Sequence, residues 1–282
     1  MLGRDLAIHI QERGHVAVQV DLPEFDITDP MSVAKIPAKE VSPVLDWCVN
    51  CAAYTAVDKA ESEEEAATLV NTLGPGYLAQ ACSMAGIRLL HVSTDFVFDG
   101  SASEPYQESS ATNPIGVYGR TKLEGEDAAL SASPGTVIAR TAWLYGPFGD
   151  SFPAKLIRAW LAGKELKVVA DQTGSPTYTA DLARVLVDLM EKDAPGGIYH
   201  TAGPEAMSWR DLTVLALEAW RQVNGPQDAM IEVAPIKTED WPTPAKRPTY
   251  SVLSFEKANA LGIEPMRPVR EALLEFVDRL DW

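Results

Sequence analysis

Short apolar runs and longer amphipathic stretches alternate along the chain. Met1 to about Arg13 reads as a helix, with Gly14 as its C-terminal stop. Val16–Val20 reads as a strand closed by Asp21, and Val44–Cys51 as a buried parallel strand. The acidic run Glu61–Glu65 opens a helix, where the dipole favours anions, and is read as structural. Ile87–Val92 predicts a strand that ends in Ser93-Thr94-Asp95. Asp99–Pro114 is rich in Ser, Pro and Asn and predicts a surface loop. A helical stretch from Tyr118 follows, then a strand at Thr136–Arg140. This order implies an α/β protein with a parallel sheet.

Beyond Gly146 the alternation loosens. Phe152–Leu161 predicts an amphipathic helix, Asp171–Thr179 is turn-rich, and Asp181 begins another helix. Gly197–Thr201 predicts a strand returning to the sheet, and Trp209–Arg221 a helix. Trp241–Pro248 is proline-rich, and Arg267–Leu280 forms a closing helix. Internal repeats and low-complexity tracts are lacking.

Composition narrows the class. A chain of 282 residues can bury about three quarters of its unfolded surface. A net charge of −16 argues against nucleic-acid binding, which needs a basic face. It leaves room for an anionic nucleotide held by a few local cations. No apolar run reaches the length of a membrane span and no signal peptide opens the chain, so a cytoplasmic protein is expected. Cys48 and Cys51 fall on opposite faces of their strand. With no second C-x-x-C pair and scattered histidines, they read as buried structural thiols, and no metal site is expected.

The candidate chemistry lies between His91 and Lys122. Tyr118 and Lys122 are four residues apart in a predicted helix, so a phenol and an ammonium share one face. A nearby cation would lower the phenol pKa from its usual value near 10. Thr94 can bring a hydroxyl to the same point. Together the three could protonate a carbonyl oxygen while hydride reaches its carbon. Alone, a Tyr and a Lys at this spacing are more often an ordinary solvated face.

Longer motifs decide between these readings. The segments 50–63 (NCAAYTAVDKAESE), 91–100 (HVSTDFVFDG), 117–126 (VYGRTKLEGE), 140–146 (RTAWLYG), 171–183 (DQTGSPTYTADLA) and 247–254 (RPTYSVLS) occur in the order found in one family. The chain resembles the extended short-chain dehydrogenase/reductases and, among them, the dTDP-4-dehydrorhamnose reductases. The resemblance implies a Rossmann-like doubly wound parallel sheet with a smaller C-terminal substrate-binding lobe. Residues 1–146 would form the NAD(P)-binding domain and 147–282 mainly the lobe, with about 180–203 returning to the first domain. It implies NAD(P)H-dependent reduction of the C4 keto group of dTDP-4-dehydro-6-deoxy-L-mannose to dTDP-L-rhamnose, with a homodimer as the candidate assembly.

By the same resemblance, Thr94, Tyr118 and Lys122 are catalytic. Gly3, Asp21, Asp26, Ile27, Ala52, Ala53, Tyr54 and Val92, with Tyr118 and Lys122, would hold the cofactor. Thr55, Val57, Thr94, Asp95, Trp143 and Arg247 would meet the substrate, Arg247 at the diphosphate. Asp21 at a strand end would bond ribose hydroxyls and so favour NADH over NADPH. Asp26, alternatively, is a helix cap, and Trp143 a core side chain. Phe96 stands where the family usually has Tyr.

The start departs from the family pattern. Only Gly3 of the expected Gly-x-x-Gly-x-x-Gly turn is found, so a strand and most of the turn are expected to be missing. That gives weight to a second class, a non-catalytic regulatory subunit like the methionine adenosyltransferase beta subunit. A third reading keeps the reductase and changes the sugar to another nucleotide-linked 4-keto-6-deoxyhexose.

Overall fold

The computed structural model describes residues 1–36, 45–225 and 230–280. Its first part runs α1 (Leu2–Glu12), α2 (Pro30–Val33), β1 (Trp47–Asn50), α3 (Val57–Ala60), α4 (Glu64–Thr68), α5 (Gly74–Ala85), β2 (Arg88–Thr94), α6 (Val117–Ala132) and β3 (Val137–Thr141). Next come β4 (Leu144–Tyr145), α7 (Phe152–Leu161), β5 (Leu166–Val169), β6 (Thr173–Gly174), β7 (Thr177–Tyr178), α8 (Thr179–Glu191) and β8 (Gly197–His200). The last elements are β9 (Met207–Ser208), α9 (Trp209–Asn224), β10 (Val233–Ile236), α10 (Glu256–Ala260) and α11 (Val269–Asp278).

The main sheet is parallel, in the order β1-β2-β3-β8. Strand periodicity sorts its side chains into two layers. Leu89 and Ile138 face α5 and α6, packing with Leu78, Ala79, Cys82 and Ala129. Leu90, Val137 and Ala139 face the other way, onto Leu2 and Leu6 of α1 and Leu182, Val185 and Leu186 of α8. Helices therefore cover both faces, as the βα alternation predicts. Cys48 belongs to the first layer and Cys51 packs against the second, so the two thiols do point apart.

A second core gathers α7, α9, α11, β5 and β10 around Ile157, Leu217, Leu273 and Phe276. The 171–179 stretch, expected as turns, carries two short strands: β6 pairs antiparallel with β9, and β7 parallel with β4. An ion-paired network joins α1 to this region. Arg279 holds Asp5 at 2.7 Å, and Arg267 holds Asp181 and Glu275, each at 2.7 Å.

Residues 16–20 do not form the expected strand. Val16, Val18 and Val20 are 74%, 43% and 57% exposed, and among the described residues no strand lies beside them. A strand needs a neighbouring edge to satisfy its backbone, and β1 forms the edge of the described sheet. Val44, the start of the next expected strand, lies outside the described residues, and β1 begins at Trp47.

Candidate active site

The carboxyl ends of β1 and β2 and the first turns of α6 meet at one place. Residue spacing makes the match. His91 and Ser93, two apart on β2, face the same way, as do Lys122 and Glu126, four apart on α6. His91 Nε2 lies 3.1 Å from Lys122 Nζ, and Ser93 Oγ donates to Glu126. Arg140 of β3, register partner of Ser93, closes a bidentate pair on Glu126 with its shortest contact at 2.6 Å. Both charges are buried, Arg140 at 2% and Glu126 at 1% exposure. Gly119 permits the close approach of α6, because a Cβ there would stand 2.1 Å from the Phe96 carbonyl oxygen.

Thr94 and Tyr118 are brought together, near enough for the Thr94 hydroxyl to act on the phenol, while Thr94 Oγ1 donates to Asp95 Oδ1 at 3.0 Å. Burial pushes the Tyr118 pKa up to about 12; Thr94 opposes this and the neighbouring Asp95 adds to it. Lys122 shares the helix face as expected, but its nitrogen is turned to β2, donating to the Val92 carbonyl at 2.7 Å. The expected lowering of the Tyr118 pKa by Lys122 is therefore not what this arrangement produces. Burial lowers Lys122 itself to about 8, against the pull of Glu126. Asp95, almost wholly buried, is raised to about 6 by burial, although Ser251 and Thr94 hydrogen-bond it. Phe96 packs edge-on against Tyr118 with ring centres 5.4 Å apart.

Ala52, Ala53 and Tyr54 follow β1 directly. The Tyr54 amide donates to Asn71 Oδ1, and Asn71 Nδ2 reaches the Thr121 hydroxyl, which ties this segment beside Lys122. Gly3, in the first turn of α1, stands close to Cys51. Two other cofactor candidates are used differently. Asp21 is exposed, ends no strand, and accepts from the Leu22 amide. Asp26 caps its own turn by accepting from Thr28 N and Oγ1, each at 2.8 Å, and Ile27 packs against the α5 start at Gly74. The helix cap before Pro30 is Asp29, which accepts from the Met31 amide at 2.9 Å, not Asp26.

On the substrate side, Thr55 is exposed, and Val57 opens α3 half-buried. Arg247 is committed to Asp58, with Nη1 to Oδ1 at 3.0 Å and Nη2 to Oδ2 at 2.8 Å, and it draws the Asp58 pKa down. Trp143 is half-buried with a left-handed backbone (φ 46°) and stacks on Trp209 at 3.5 Å between ring centres. Gly174 makes room for it, since a Cβ there would stand 2.3 Å from the indole. Sequence reasoning missed Asn50, Asp58, Glu126, Trp209 and Ser251. His91 carried a signal: a polar residue of an apolar strand, in phase with Ser93.

The sequence profile described as the RmlD substrate binding domain matches residues 1–282. The chain belongs to that family. Among RmlD-family relatives, the dTDP-4-dehydrorhamnose reductase of Streptomyces griseus is 44% identical over 98% of this chain and 89% of its own. The dTDP-4-keto-6-deoxy-D-glucose reductase of Streptomyces niveus is 38% identical, covering 98% of this chain and 92% of its own. The crystal structure of dTDP-4-dehydrorhamnose reductase from Bacillus anthracis in complex with NADP superposes with a TM-score of 0.89 at 32% identity, covering 98% of this chain and 94% of that one. Among the described residues no helix is long and apolar enough to cross a membrane, and no cluster of His, Cys, Asp and Glu could hold a metal ion.

Proposed function

We propose that this protein is an NAD(P)H-dependent ketoreductase that converts the C4 keto group of dTDP-4-dehydro-6-deoxy-L-mannose to the alcohol of dTDP-L-rhamnose. The convergence of Thr94, Tyr118 and Lys122 at the carboxyl end of the sheet carries this reading, with the names of the family relatives in support. Residues 1–146 bind the cofactor in this reading, and 147–282 bind most of the sugar nucleotide, with about 180–203 belonging to the main sheet.

The residues present fit a nicotinamide nucleotide. Small side chains at Ala52 and Ala53 leave room at the end of β1, where ligands of open α/β sheets bind. The N-terminal turn of α1 at Gly3 presents backbone amides, a suitable setting for a diphosphate. Bound NAD(P)H supplies the hydride. Tyr118 donates its phenolic proton to the substrate oxygen as the hydride reaches C4. Thr94 hydrogen-bonds the same oxygen and holds the phenol in line. Trp143 offers its exposed edge to the sugar. Arg247 faces the diphosphate, partly neutralised by Asp58.

Tyr118→Phe tests the proton donor. Turnover of the dTDP-4-keto sugar is expected to fall about 10²–10⁴-fold, while circular dichroism and NAD(P)H affinity hold. Near-normal turnover would sink the mechanism. The Streptomyces niveus relative keeps the second reading alive, in which the same site reduces another dTDP-linked 4-keto-6-deoxy sugar. Product analysis by NMR after incubation with both sugars separates the two.

A further inference from the structure

Trp143 stands where two packed regions meet. It lies two residues beyond β3, whose Thr141 is the register partner of Thr94. It packs both on the second core and on the small cluster of Val97, Phe98, Ala142 and Leu253. Its backbone is left-handed (φ 46°), a conformation that a bulky residue keeps only where its surroundings impose it. The Thr177 N–H donates to its carbonyl at 3.2 Å, which fixes the backbone, and Gly174 gives the indole room. The plane of the ring is set by Trp209, stacked with ring centres 3.5 Å apart and planes within 3° of parallel. Trp209 is itself held. It is the first residue of α9, where Ser208 and Asp211 form a capping box. β9 ends at Ser208 and pairs with β6, which brings Gly174 and Trp209 to the same place. Phe152 lies tilted against Trp209, 4.6 Å between ring centres. The indole N–H of Trp209, a donor only, donates to Gln172 Oε1 at 3.2 Å. Gln172 is 4% exposed, and its Nε2 donates to Thr238 Oγ1 at 3.0 Å. Thr238 Oγ1 donates in turn to Asp171 at 2.8 Å. Turning the Gln172 amide over would set its N–H against that of the indole, so the chain of bonds has one direction. It runs from the tryptophan pair to the turn that opens the proline-rich segment.

We propose that Trp209 is a positioning residue for the sugar-nucleotide site: stacked on Trp143 and anchored by Gln172, it holds the Trp143 ring in the orientation that meets the sugar. This rests on the ketoreductase reading, in which Trp143 offers its exposed edge to the sugar. Trp209 then acts through Trp143. Its loss weakens sugar binding and leaves proton donation by Tyr118 in place.

The test has two arms. In kinetics, Trp209→Leu is expected to raise KM for the dTDP-4-keto sugar about three- to tenfold, the worth of an aromatic pair, with kcat within about twofold and KM for NAD(P)H unchanged. Trp209→Phe keeps a ring in the stack and is expected to bring KM back to within about twofold of the wild type. The double variant Trp143→Leu/Trp209→Leu is expected to be no worse than Trp143→Leu, since a residue that acts through another loses its effect with it. An unchanged KM in Trp209→Leu, or a double variant in which the two losses add, overturns the proposal. The second arm is nitrogen-15 NMR of the indole N–H groups in the cofactor-free protein. The chain has seven tryptophans, and the Trp143 signal is assigned by its loss in Trp143→Phe. The ring current of a stacked neighbour displaces that signal, so Trp209→Leu is expected to move it. A Trp143 signal that stays in place also overturns the proposal. If Trp209→Leu does not fold, Gln172→Met replaces it in both arms: it removes the acceptor of the indole N–H, and the same rise in KM and the same displacement are expected. The NMR arm needs no turnover. A wild type that reduces no keto sugar, with the displacement seen, would sink the ketoreductase reading and leave the hold of Trp209 on Trp143 standing.

Discussion

Asp95 shows how one buried carboxyl ties the site to solution conditions. Its ordinary pKa of 3.8 is raised to about 6 in the folded protein. Between those values the unfolded chain ionises before the folded one. The stability linked to this group is whole at acidic pH and is lost as pH rises toward 6. Asp95→Asn is therefore expected to melt about 3 °C above the wild type in mildly alkaline buffer. At a pH below 4 the two melting curves should converge. A difference that did not shrink with acidification would remove the assignment. The placement at this scale was readable from sequence: Thr94, Tyr118 and Lys122 share a place because strand end and helix start are adjacent in a βα unit. The direction of Lys122 was not readable. Its nitrogen meets His91 and the Val92 carbonyl, 31 and 30 positions away, and periodicity alone cannot show what the next element offers.

Elements carry the next level of constraint. α6 sits close to the β2 end because residue 119 has no side chain, with 2.1 Å between an added Cβ and the Phe96 carbonyl. Gly119→Ala is expected to cost about 1–3 kcal/mol, as overpacking does, and to depress kcat by shifting Tyr118 away from Thr94. Chemical denaturation with parallel kinetics would check both. The 241–249 segment is held differently, by the Asp58–Arg247 pair, whose groups are 39% and 26% exposed. Solvent screening limits such a pair to about 0.5–1 kcal/mol. Arg247→Ala should therefore leave the fold intact and raise KM for the sugar nucleotide about tenfold with kcat within about twofold, as loss of one charge-assisted contact does. An unchanged KM would remove Arg247 from the diphosphate site. Sequence showed the βα core well, since α1, α6 and α8 each bury one stripe and β2 and β3 are apolar runs buried on both faces. It failed at Val16–Val20, where the pattern suits a strand and no described strand lies alongside. It also failed at β6 and β7, two residues each, too short for a period to register.

At the scale of the whole molecule, the two edges of the main sheet differ. On β8, Lys257 Nζ takes the Ile198 carbonyl at 2.6 Å and Glu108 accepts the His200 N–H at 2.9 Å. Side chains thus occupy the groups another strand would use. On β1, among the described residues, no strand fills the far side of Trp47–Asn50. Replacing both Glu108 and Lys257 with Ala is expected to speed concentration-dependent light scattering on warming severalfold. Unchanged scattering would show that these contacts are not a guard. In the language of polymer chemistry, side chains on β8 remove a bonding position; a unit open on two sides is the smallest from which a filament can grow, and one with a blocked side cannot propagate it.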